Sequence, residues 1–82
     1  MRKAERIEQV SKLSREYAQS GDYSNWYSIE QALRRQGFPE ARTVLDSKYT
    51  RDQLDEMCKF AQAAKARGLT YAEAVKEAQS RL

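Results

Sequence analysis

The chemistry this chain has to offer is limited to one thiol, Cys58, and twelve carboxylates, with no histidine beside them. Without imidazole, a serine or cysteine nucleophile has no base to activate it, and thiolate and imidazole metal sites are excluded. The nearest approach to a catalytic carboxylate pair is Asp52 with Glu56, four residues apart and so on one helix face. Acid or base work near neutral pH needs a carboxyl shifted by burial. Nothing apolar flanks this pair, and Glu5, Glu8, Glu16, Glu30, Asp55, Glu73 and Glu77 fall mostly on polar faces in the same way. Cys58, in "LDEMCKFAQ", sits on the apolar side of a helix and reads as a small core hydrophobe. The glycines, Gly21, Gly37 and Gly68, stand singly, so no glycine-rich phosphate loop exists. The expectation is a protein with no catalytic, metal or cofactor site.

Binding chemistry is better represented. Tyrosine, tryptophan and arginine dominate interaction hot spots because they combine large contact area with a polar end. The segment from residue 22 to 51 holds Tyr23, Trp26, Tyr27, Arg34, Arg35, Phe38, Arg42, Tyr49 and Arg51. Trp26 and Phe38 are assigned to the core. Tyr23, Tyr27 and Tyr49 are then expected to supply contact area, and Arg34, Arg35, Arg42 and Arg51 steering and hydrogen bonds, in a surface for a protein partner. Glu30, Glu40, Asp46 and Asp52 lie close enough in sequence to relieve the local positive charge.

These residues must be positioned by helices. From Arg2 to about Ser20, Ile7, Val10, Ser14, Tyr17 and Ala18 recur at helical spacing. A second helix, starting between Asp22 and Ser28, carries Trp26, Ile29 and Leu33 and stops at Gly37. A third, short helix runs from Pro39 to about Asp46, proline being suited to a first turn. Thr50 with Gln53 makes a capping box that opens a fourth helix from Arg51 to about Arg67, with Leu54, Met57, Cys58, Phe60, Ala61 and Ala64 on one side. Thr70 with Glu73 makes another, followed by Tyr71, Ala74, Val75, Ala78 and Leu82, the tightest apolar stripe. No segment alternates with period two. The fold class is therefore all-α: one domain over residues 1–82, a compact orthogonal bundle of about five short helices.

Two stretches resemble DNA-binding units. "ALRRQGFPEAR" is similar in outline to a helix-turn-helix, though Leu33 stands four before the turn glycine where that family has a small residue, and Thr43 stands where it has an apolar anchor. "AKARGLTYAEAVKEAQSRL" resembles the opening of repressor-type domains, where a glycine, an apolar residue and a Ser/Thr cap occur together; the same residues also make a helix stop and a cap. A net charge of +3 and a pI near 9.2 suit nucleic acid, but fifteen basic residues are interleaved with twelve acidic ones. The leading expectation is a non-catalytic binding or regulatory protein acting on a protein partner. A small DNA-binding regulator is the first alternative, and an accessory protein that forms homodimers through residues 2–20 the second. No apolar run reaches membrane-spanning length, so a cytoplasmic protein, of the kind common among small bacterial accessory proteins, is expected.

Overall fold

A computed structural model describes residues 2–81, and in it five helices follow one another. They are α1 (Lys3–Gln19), α2 (Trp26–Arg35), α3 (Ala41–Val44), α4 (Lys48–Ala66) and α5 (Tyr71–Ser80). No strand occurs among the described residues. Leu82, expected on the last stripe, lies outside them.

The helix ends follow local chemistry, in places one turn away from the expected position. Asn25 caps α2, its side-chain oxygen accepting from Ser28 N–H at 2.9 Å, so the helix starts within the expected Asp22 to Ser28 interval. Ser47 does the same for α4, accepting from Thr50 N–H at 3.5 Å; α4 thus starts at Lys48 instead of Arg51, and Thr50 and Gln53 lie inside it. The Thr70 and Glu73 box forms as expected, with reciprocal bonds of 2.9 and 3.2 Å. α2 ends in a Schellman turn: Phe38 N–H donates to Leu33 O at 3.0 Å and Gly37 N–H to Arg34 O at 3.1 Å, with Gly37 at φ +94°. Leu69 and Gly68 close α4 by the same pair of bonds. α3 is a single turn, because Pro39 and Glu40 are in a turn and Leu45 already leaves the helix.

The core lies where α1, α2, α3 and the first half of α4 meet. Val10, Ala18, Ile29, Leu33, Ala41, Leu45, Leu54 and Cys58 are buried together, with Leu13, Tyr17, Tyr23, Trp26, Phe38, Val44 and Met57 packed around them. Burial of a branched aliphatic side chain contributes about 1.5–3 kcal/mol, so Ile29, Leu33, Leu45 and Val10 are the main anchors. The α1 stripe is used up within this core, chiefly against α4. What α1 leaves exposed of it is Ile7, at 37%.

Two expectations need correction. Glu30, read as part of a polar face, is only 6% exposed. Its helix packs on α1, α3 and α4 at once, and the buried arc is therefore wider than the Trp26, Ile29, Leu33 stripe. No buried side-chain oxygen among the described residues lacks a hydrogen-bond partner, so the Glu30 carboxylate, which has none, reaches water at its tip. α5, with the tightest stripe, is embedded least: only Ala74 is buried, Tyr71 and Val75 are half-buried, and Ala78 is exposed. Its main contact is the C-terminal half of α4, where Phe60 and Tyr71 meet edge to face at 5.3 Å. With a radius of gyration of 13.5 Å, the molecule is longer than a sphere-like domain of its size, for which about 12 Å is expected.

Candidate interaction surface

The sequence places seven residues on one proposed surface, and the structure distributes them among three environments. Arg34, Arg35 and Arg42 are exposed and have no carboxylate partner within salt-bridge distance among the described residues. Arg34 and Arg35 occupy the last turn of α2, where the carbonyl end of the helix favours positive charge. With Gln31 and Pro39 they line a shallow recess on the outer side of the α2–α3 joint.

The tyrosines differ from one another. Tyr27 is 55% exposed, and its ring meets Trp26 edge to face at 5.7 Å. Tyr23 is half-buried and stacked almost flat on Tyr17, with ring centres 5.1 Å apart. It packs against the buried core and is only partly available at the surface. Tyr49 is 74% exposed on another side of the molecule, at the rim of a groove between α1 and α4.

Arg51 is engaged in the fold. Its guanidinium lies 3.9 Å from the centre of the Trp26 ring, its Nε donates to Leu45 O at 2.7 Å, and Nη2 reaches Asp46 at 3.3 Å. On the other side of the α2 N-terminus, Trp26 N–H donates to Asp55 at 2.8 Å. Two residues of α4 thus hold Trp26 in place, one by its ring and one by its backbone.

The carboxylates counted as neutralising the basic segment are mostly in use elsewhere. Arg6, reaching across from α1, donates Nε to Glu40 and Nη2 to Gly37 O at 2.7 Å, and lies over the Phe38 ring. This contact holds the Glu40 carboxyl below its ordinary range and raises the guanidinium's own pKa. Asp46 is with Arg51, and Asp52 is with Lys48 at 2.8 Å, which raises the Lys48 pKa. Arg6 was not singled out in the sequence, since its partners lie 31 and 34 residues away. The result is local: Arg34, Arg35 and Arg42 form no ion pair among the described residues, and of the four nearby acids Glu30 alone is also unpaired there.

Other ion pairs join elements to one another. Lys65 bonds Asp22 at 2.6 Å, tying α4 to the α1–α2 turn, and Arg67 and Arg81 share Glu77. Cys58 is fully buried, and desolvation, with Asp55 nearby, pushes its thiol up to about 11. No cluster of three or more metal-ligating side chains occurs among the described residues, and no helix among them is long and apolar enough to cross a membrane. The arrangement can recognise anions through exposed arginines and offer aromatic contact through Tyr27.

Compared with protein-family models, curated proteins and solved structures, the chain matches none.

Proposed function

We propose that this protein acts by binding rather than by catalysis, and that its outer α2 surface, with Arg34, Arg35 and Arg42 as charged groups and Tyr27 as contact area, engages an acidic patch on a protein partner. The observation that carries the reading is the diversion of Glu40, Asp46 and Asp52 to Arg6, Arg51 and Lys48. Three arginines are left exposed with no ion-pair partner among the described residues, two of them on one recess. Complementary charge of this kind mainly raises association rate and selects the partner, while an exposed tyrosine adds area at little entropic cost.

Nucleic acid is the second reading, favoured by the same free arginines. Against it, α3 is a single turn of four residues, too short to lie along a major groove as the second helix of a helix-turn-helix. Fluorescence anisotropy separates the two. A labelled peptide rich in aspartate and glutamate and a labelled random-sequence duplex are each titrated at low and near-physiological salt. The expected result is peptide binding that falls at least about tenfold in the Arg34→Ala, Arg35→Ala, Arg42→Ala triple variant. The variant should melt like the parent. Duplex binding that drops about fortyfold across a fourfold rise in salt, as three phosphate contacts require, would put nucleic acid first. Binding to neither probe would overturn the surface altogether.

A further inference from the structure

On a different side of the molecule from α2's outer face, α1 and the first half of α4 enclose a groove of about 380 Å³. Ser14 and Leu54, respectively 2% and 3% exposed, make its floor. Val44 and Met57, both half-buried, continue the apolar wall, and Tyr49, Thr50 and Gln53 stand on the α4 side. The one charged residue lining it is Arg15, which is exposed and makes neither an ion pair nor a side-chain hydrogen bond among the described residues. Ser14 spends its proton on Ser11 O at 2.9 Å, whereas the Thr50 hydroxyl and the Gln53 amide have no partner among the described residues.

An apolar strip made by Val44, Leu54 and Met57, a few polar groups with unused capacity and one cation unpaired among the described residues are the elements of a small-ligand site, and the volume lies at the lower end of the usual range for such sites, about 300–1,000 Å³. We infer that this groove binds a small apolar monocarboxylic acid. The carboxylate meets the Arg15 guanidinium, which presents a fork of donors matched to two carboxylate oxygens. The apolar body lies on Val44, Leu54 and Met57, and Thr50 and Gln53 complete the hydrogen bonding at the rim. A free acid is favoured over an extended acidic peptide by what surrounds the groove. Beyond Arg15 the outer side of α1 carries Glu8 and Glu16 against Lys12, which gives a run of acidic residues no complement.

The test is a ¹H–¹⁵N chemical-shift titration of the full chain with 4-phenylbutyrate at neutral pH. Saturable shifts are expected at Ser11, Thr50, Gln53 and Met57, with a dissociation constant on the order of 1 mM for a ligand of a dozen heavy atoms. Arg15→Gln should fold like the parent, because Arg15 holds nothing in place, yet weaken binding about tenfold. The neutral 4-phenylbutyramide should be weaker by a similar factor. Absence of saturable shifts at those residues, or equal binding of acid and amide, would overturn the assignment. Tighter binding of an acetylated tetrapeptide ending in a free phenylalanine carboxylate would also overturn it, by giving the groove to a chain terminus.

Discussion

Replacing Arg51 with alanine should destabilise the protein substantially while leaving the proposed anion recognition by Arg34, Arg35 and Arg42 intact. Three contacts are lost. The guanidinium stack on Trp26, at 3.9 Å over a half-buried ring, contributes about 1 kcal/mol. The charge-assisted hydrogen bond from Nε to Leu45 O contributes about 1.5 kcal/mol. The Asp46 pair adds only a few tenths, since the aspartate side chain is 77% exposed and screened by solvent. The sum, about 2.5–3 kcal/mol, is large beside the roughly 4–12 kcal/mol expected for the whole chain. It corresponds to a fall in melting temperature of about 10–20 °C. Urea denaturation followed by far-ultraviolet circular dichroism and by fluorescence reads this directly, because Trp26 is the only tryptophan and sits in the stack. Arg51→Lys should recover less than half of the loss, since an ammonium neither stacks flat nor donates in a fork. If Arg51→Ala unfolds within about 0.5 kcal/mol of the parent, as an ordinary surface substitution does, the structural role is refuted. Arg51 would then return to the set of residues available to a partner.

Cys58, buried and with its thiol raised to about 11, should resist an aromatic disulfide reagent at pH 8 in the native state and react fully in denaturant; fast native labelling would refute its burial. Acid should destabilise the fold through Glu40, Glu73 and Glu77, whose carboxyls are held below the ordinary 4.5 by the Arg6 hydrogen bond, by Thr70 N–H and by Arg67 respectively. A lowered folded-state pKa contributes stability that is complete above the unfolded value and lost as pH falls through the folded one. The melting temperature should thus hold from neutrality down to about pH 5 and drop below it, with a smaller drop in Glu77→Gln. An identical acid profile in that variant would count against the Arg67 contact. Gly37→Val should cost about 1–2 kcal/mol through backbone conformation alone, as φ is +94° and a Cβ there would meet nothing within 4 Å. An unchanged melting temperature would refute the left-handed assignment.

The number and order of helices were legible because their stops are chemical and local. The turns at Gly37 and Gly68 close helices by bonds that span three and five residues, and the Thr70 box spans three. The boundaries that moved did so where a competing signal stood one turn away: Ser47 offers α4 the same oxygen as Thr50, three residues sooner. Burial was less legible than periodicity suggested, because a stripe records which face is apolar but not how many neighbours cover it. α2 has three substantial neighbours and buries even Glu30, whereas α5 packs mainly on α4 and leaves part of a denser stripe in water.

Charge was the least legible property of the surface, for a physical reason. In sequence, Glu40, Asp46 and Asp52 stand nearer to Arg34, Arg35 and Arg42 than to most other cations, so a local count makes the segment almost neutral. In the fold, Arg6 takes Glu40 from 34 residues away, and it can do so only because α1 crosses the α2–α3 joint closely enough to touch Gly37 and Phe38 as well. One long-range contact therefore does two things at once: it fixes the joint that presents the arginines, and it removes the acid that would have neutralised them. Arg51 shows the converse, since a basic residue inside the same segment is withdrawn by its stack on Trp26 and its bond to Leu45. Which charges stay unpaired is thus decided by tertiary contacts, and Arg6, which lies outside the 22–51 segment, is the residue that occupies Glu40.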